Sequence, residues 1–170
     1  MGQLTLPNAA RVYIDTVTVI YAVEQAPTYG VLLNSLWNNL QAGNLEVLTS
    51  ELTLMETLIM PIRNSDTFLV NAYERLLRSP KMQLIPISQT VLREAARLRA
   101  IMSSLRTPDA IHAATAITSG CTQFLTNDRQ LRTVANLPVV ILDEVLTSWA
   151  IARITVALIL KPNGENHHEN

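Results

Sequence analysis

Short apolar runs rich in β-branched residues alternate along this chain with longer stretches whose apolar positions return every three or four residues. Arg11-Val12-Tyr13-Ile14, Leu45-Glu46-Val47-Leu48-Thr49, Gln83-Leu84-Ile85-Pro86-Ile87, Thr122-Gln123-Phe124-Leu125-Thr126 and Val139-Val140-Ile141-Leu142 read as five strands. Pro86 marks a strand end or an edge. Between them, Val31 to Leu40 places Val31, Leu32, Leu36 and Leu40 near one helix face, with Trp37 beside them. Ser50 to Ile62, Thr67 to Leu77 and Val91 to Met102 repeat the helical period, the last with Arg93, Arg97 and Arg99 outside. Gly43-Asn44 is a natural helix stop. Thr107-Pro108-Asp109 is a helix start: Thr can cap, Pro suits the first turn, and Asp favours the positive end of the helix dipole. Strands joined by crossover helices imply an α/β fold of three layers, a central parallel sheet of about five strands flanked by helices.

At 170 residues the chain is large enough for one self-sufficient core, and 48 % hydrophobic against 16 % charged residues argues against disorder. A formal charge of -1 advertises no polybasic stripe. Of the thirteen basic residues only Lys81 and Lys161 are Lys; the rest are Arg, whose planar fork suits local contacts to phosphate. Cys121, the one cysteine, excludes an intrachain disulfide and a Cys-based zinc site. With no basic or long apolar leader at Met1-Gly2-Gln3-Leu4-Thr5-Leu6, and Trp149 to Leu160 too short to span a bilayer and interrupted by Arg153, a cytoplasmic protein is expected, with no membrane partner. The expected organisation is one domain over 1–146, then an apolar extension and polar tail over 147–170.

Ligands of such sheets bind beyond the carboxyl ends of the strands, and acidic residues fall there. Asp15 closes the first strand and Asp128 the fourth. Asp109 opens the helix that leads into the fourth strand, and Glu56 lies one to two turns into the helix after the second, beside apolar Met55, Leu58 and Ile59. Taken singly, each has an ordinary explanation: turn former, helix cap, first-turn acid, rim residue. Together they repel, by ~1 kcal/mol per pair at 4 Å in bulk water and ~4 at an effective dielectric of 20. A hard cation with oxygen ligands, Mg2+ or Mn2+, would compensate such a group, and the lack of a Cys or His cluster disfavours zinc.

Val12-Tyr13-Ile14-Asp15-Thr16 and Ser50-Glu51-Leu52-Thr53-Leu54-Met55-Glu56-Thr57-Leu58 resemble the first two acidic motifs of the PIN-domain nucleases. Leu105-Arg106-Thr107-Pro108-Asp109-Ala110-Ile111-His112-Ala113-Ala114-Thr115-Ala116 is similar to the third motif, and Phe124-Leu125-Thr126-Asn127-Asp128 to the fourth, the likeness running from about Val12 to Leu142. The resemblance implies a PIN-like fold and a metal-dependent ribonuclease, with Asp15, Glu56, Asp109 and Asp128 holding Mg2+ or Mn2+. It also makes Thr126 the hydroxyl residue that orients the cluster and Asn127 a further partner. Single-domain bacterial members of this size look like VapC-type toxins, which implies an RNA substrate and a cognate antitoxin.

Other residues carry weaker signals. His112, one turn after Asp109, is tempting as a base, but a packing or surface role is the simpler expectation. His167 and His168 stand in a polar tail and make no metal site. Cys121 reads as a small core residue. Arg106, Arg129 and Arg132 flank the third and fourth motifs and are candidates for RNA phosphate contacts, or simply a solvated face. Trp37, Tyr29 and Tyr73 could stack bases, though packing is the more usual role. The apolar segment Ser148 to Leu160 is a candidate surface for a second copy, as in a homodimer, or for the antitoxin. Three other functions compete. A phospho-acceptor receiver domain needs a Lys by the acidic pocket, which neither lysine provides. A haloacid-dehalogenase-like phosphatase needs an Asp where Val17 stands. A catalytically silent PIN-like scaffold for RNA or protein is weakened by the presence of all four acids.

Overall fold

The run Arg11–Ile14 forms the first strand, β1, and its alternation sorts the interior into two halves. Successive strand side chains point to opposite faces. Val12 and Ile14 accordingly enter one apolar cluster, while Tyr13 enters the other. The structure, a computed structural model, describes residues 4–148. Four further strands, β2 (Glu46–Ser50), β3 (Met82–Ile85), β4 (Gln123–Thr126) and β5 (Val139–Ile141), complete a parallel sheet in the order β3-β2-β1-β4-β5. β1, β2 and β4 are buried almost throughout, as strands covered on both faces must be, and β3 and β5 are the half-buried edges. β3 stops at Ile85, before Pro86, as expected.

The helices are α1 (Thr16–Val23), α2 (Pro27–Ala42), α3 (Glu51–Arg63), α4 (Thr67–Leu77), α5 (Gln89–Ile101) and α6 (Thr107–Thr118), with a 3-10 helix at Arg129–Thr133; residues 142–148 are also helical. Val12, Ile14, Val47 and Leu125 pack on one side against Leu33, Leu36 and Leu40 of α2 and Tyr73 and Leu77 of α4. On the other side Tyr13, Leu48 and Phe124 meet Ala95 and Leu98 of α5 and the small residues Ala110, Ala113 and Ala116 of α6. The three-layer α/β architecture expected from the sequence is therefore the observed one.

Three local readings need correction. The chain from Asp15 to Val23 carries a helix that β-branched Val17, Thr18, Val19 and Ile20 conceal; what starts it is Asp15, whose side chain accepts from the Thr18 amide as an N-cap. On α2 the buried stripe is Leu32, Leu33, Leu36 and Leu40, and Val31 is half exposed. The helix also ends where expected, at Gly43, whose φ of +75° is the left-handed conformation suited to a residue without Cβ. Thr107 does not cap α6. Its hydroxyl accepts from Arg99 Nη1 at 2.9 Å, and Arg106 occupies the cap position without a side-chain bond. The expected apolar extension and the histidines of the tail, His167 and His168, lie outside the described residues apart from residues 147 and 148.

Strand order determines where a site can form. The chain starts at the sheet centre, runs outward through β2 and β3, then crosses to β4 and β5, so its direction reverses between β1 and β4. At such a switch point the connections after the two strands diverge and leave a crevice at their carboxyl ends. Asp15 follows β1 and Asp128 follows β4.

Candidate active site

An open cleft of about 610 Å³ occupies this crevice, and Asp15, Glu56, Asp109 and Asp128 all line it, with Arg106 and His112. They come from four separate places: the ends of β1 and β4, the second turn of α3 and the first turn of α6. Among the described residues, however, no three His, Cys, Asp or Glu side chains stand close enough together to enclose an ion. The acids share the cleft while each is held by its own protein partners.

Asp15 is the most buried, 9 % exposed. Its Oδ1 accepts from the Thr18 amide at 2.9 Å and the Thr18 hydroxyl at 2.8 Å, and that hydroxyl also reaches the Leu125 carbonyl. Cap and cleft residue are thus the same side chain. Burial pushes its carboxyl above the usual aspartate range, against the opposing pull of the Thr126 and Thr18 hydrogen-bonding groups. Attraction from His112 also opposes the rise without cancelling it.

Glu56 behaves in the opposite way. Burial would raise it, but hydrogen bonds from His112 and Thr16, with added attraction from His112 and Arg106, outweigh that and hold it below the usual glutamate range. Its Oε2 meets His112 Nε2 at 3.0 Å and accepts a very short bond from the Thr16 hydroxyl. Asp109 is gripped by Arg106, with Nε to Oδ2 at 2.8 Å, and Arg106 Nη2 reaches Asp128 Oδ2 at 3.9 Å. Asp128 also accepts from the Gln130 amide at 2.9 Å and caps the 3-10 helix. Thr126, wholly buried, accepts from the Asp128 amide at 2.9 Å.

Asn127 donates through Nδ2 to the Tyr21 and Tyr29 hydroxyls, 3.2 Å each, and its Oδ1 accepts from the Asp143 amide. Tyr21 and Tyr29 stack with ring centroids 3.8 Å apart, and the Tyr29 hydroxyl donates to Asp143. Tyr29 and Tyr73 are therefore packing residues; Tyr73 is buried, with its hydroxyl on Glu24. Trp37 packs on the same cluster, and Cys121 lies against the other, its thiol pushed up to about 11 by burial. Arg129 and Arg132 pair with Glu144 away from the cleft, and Arg106 alone of the three expected arginines lines it.

His112 is not a surface residue: it is 5 % exposed and joins Tyr13 to Glu56. Sequence reading left Thr16 and this link out; the spacing Asp109-x-x-His112, which puts both on one face of α6, was the available signal.

The donor set fits a hard divalent cation. All four acids offer oxygen, one of them a buried carboxyl that desolvation disfavours as the anion, and Thr126 adds a hydroxyl between Asp15 and Asp128. Arg106 is the local positive charge that competes for the same carboxylates. Replacing it by Ala is expected to raise Mn2+ affinity a few-fold at low salt, measured by titration calorimetry, because a cation at the mouth is removed.

The PIN domain family model matches residues 12–137. No curated protein matches the chain in sequence. The fold is similar to that of VapBC2 from Rickettsia felis bound to a DNA fragment from its promoter, with TM-score 0.62 and 19 % identity over 76 % of this chain and 97 % of that one. A toxin–antitoxin complex from Klebsiella pneumoniae gives TM-score 0.58 and 21 % identity over 76 % and 95 %. VapC20 of Mycobacterium tuberculosis, a sarcin-ricin-loop-cleaving toxin, gives TM-score 0.57 and 16 % identity over 75 % and 98 %. At these identities the likeness is one of fold.

Proposed function

The chain belongs to the PIN-domain family, and on that basis we propose that it is a metal-dependent endoribonuclease that hydrolyses RNA phosphodiester bonds, the toxin of a toxin–antitoxin pair. One observation carries this reading: acids from four separate elements line a single cleft at the carboxyl edge of the sheet, beside the point where its strand order reverses. The solved toxins and toxin–antitoxin complexes of like fold support the substrate class and the antitoxin partner. No helix of the described residues is long and apolar enough to cross a membrane.

Asp15 and Asp109 would hold Mg2+ or Mn2+ directly, with Glu56 and Asp128 ligating directly or through water. A divalent ion so held supplies an activated water and a clamp for charge on the phosphate oxygens and leaving group. The chain's own residues prepare the site. The Thr18 amide and hydroxyl fix Asp15 in one orientation. Thr126 fixes the Asp128 backbone at the end of β4. Arg106, 73 % exposed at the cleft, can leave Asp109 and turn its guanidinium to an RNA phosphate. A positive charge that competes with the metal yet attracts substrate gives Arg106→Ala a split signature: tighter Mn2+ and a raised KM for RNA.

Cleavage of a structured RNA with Mn2+, with and without excess EDTA, tests the reading. Cleavage that requires the ion supports it. At an Mn2+ concentration of 100 Kd, ion binding to the folded chain should add about 2.7 kcal/mol of stability, seen as a rise in Tm that EDTA reverses. Mn2+ binding without cleavage of any RNA offered would favour the scaffold reading.

A further inference from the structure

Tyr13 sits within β1, fully buried, with its ring stacked on Phe124 at a centroid distance of 4.8 Å. Its hydroxyl meets two groups. The Ser50 amide, at the N-cap of α3, approaches at 3.1 Å, and a backbone N–H can only donate. The Tyr13 oxygen therefore accepts there, and a neutral His112 ring that donates from Nε2 to the Glu56 carboxylate leaves Nδ1, 2.7 Å away, to accept the Tyr13 hydrogen. A ring nitrogen that accepts from a hydroxyl carries no hydrogen, which leaves the ring hydrogen of His112 on Nε2. Nε2 in turn faces Glu56 Oε2 at 3.0 Å. Every bond in the series Ser50 amide, Tyr13 hydroxyl, His112 ring, Glu56 carboxylate thus runs in one direction.

Resting on the metal-ligand reading of Glu56 above, we infer that Tyr13 and His112 are positioning residues: Tyr13 holds the His112 ring through Nδ1 in the Nε2–H tautomer that Glu56 requires, and His112 with Thr16 aims the Glu56 carboxylate into the cleft. The series begins and ends on α3, since Ser50 caps the helix that carries Glu56. It passes through α6 one turn from Asp109, so the two helices that bring Glu56 and Asp109 are tied together by the same ring. Both donors to Glu56, the His112 ring and the Thr16 hydroxyl, take Oε2, which leaves Oε1 for a ligand. Such outer partners fix the direction of a metal ligand, and their loss costs about 10–100-fold in metal affinity.

The test uses the full chain, and Mn2+ as the probe. Two-bond 1H–15N correlations on 15N-histidine protein, with His112 assigned by the signal missing in His112→Gln, should show the Nε2–H tautomer in the metal-free wild type. In a Glu56→Ala background, where no carboxylate demands a donor from Nε2, the Nε2–H tautomer should persist with Tyr13 and be lost on Tyr13→Phe. His112→Ala should weaken Mn2+ binding by about 10–100-fold, and His112→Gln, whose amide keeps an N–H donor, should restore most of it and serves where the alanine variant does not fold. In a Glu56→Ala background, His112→Ala should cost no further Mn2+ affinity, an outcome that a general packing role would not give. An Nδ1–H tautomer in the wild type, wild-type Mn2+ affinity in His112→Ala, or additive losses in the double variant would each overturn the inference. A wild-type chain that takes up no Mn2+ would instead overturn the metal reading, and the tautomer would then decide the Tyr13–His112 link by itself.

Discussion

Asp15→Asn is expected to abolish Mn2+-dependent RNA cleavage, by roughly 10³-fold or more, while leaving the fold intact. The factor follows from losing several kcal/mol of transition-state charge stabilisation at about 1.36 kcal/mol per tenfold. The fold survives because the amide oxygen of Asn can still accept from the Thr18 amide, which keeps the cap of α1. Metal-free stability should even rise at pH 7. Burial raises the Asp15 carboxyl in the folded chain, so wild type carries a penalty above the folded value that disappears as pH falls through it and below the unfolded aspartate range. The variant lacks that penalty. In EDTA, then, its Tm should exceed that of wild type at neutral pH, and the difference should shrink on acidification. A thermal melt series over pH together with a cleavage assay checks both halves.

Phe124→Ala should have the largest effect on stability. Phe124 is wholly buried on β4, between the paired strands β1 and β5, and its ring stacks on Tyr13. Truncating such a residue costs about 3–5 kcal/mol, a large part of the ~5–15 kcal/mol by which domains are stable. For a chain of this size that lowers Tm by roughly 6–20 °C, at about 2–4 °C per kcal/mol. The same strand delivers Thr126 and Asp128 to the cleft, so the loss of Tm should be accompanied by weaker Mn2+ binding. Asp15→Asn and Phe124→Ala therefore separate chemistry from support: one removes activity without destabilising the chain, the other destabilises it without touching an acid.

Much of this was legible in the chain itself. The five strands stand out because central parallel strands need continuous apolar runs, and Arg11–Ile14 begins and ends as the pattern says. Three of the acids, Asp15, Asp109 and Asp128, are legible because strand ends and first helical turns are positions that topology sends to one edge of the sheet, and Glu56 because it lies only a turn further along the helix after β2. What escaped depends on contacts between distant residues. α1 is hidden because its β-branched residues favour strand locally, and only the Asp15 cap and burial of Val19 decide otherwise. The cap of α6 fails because Arg99, eight residues earlier, claims the Thr107 hydroxyl. His112 reads as packing from its neighbours in sequence, since its partners Tyr13 and Glu56 lie 99 and 56 residues away. The grip of Arg106 on Asp109 is a three-residue contact on one helix start, yet its meaning depends on Asp128, which arrives from β4.

Whether these acids jointly hold a divalent cation is tested most directly by titration calorimetry of Mn2+ into the wild-type chain and into Asp15→Asn. Saturable binding to wild type that is lost in the variant, with both chains folded by circular dichroism, is the predicted result. Binding of equal affinity in the two, or none in wild type, would contradict it.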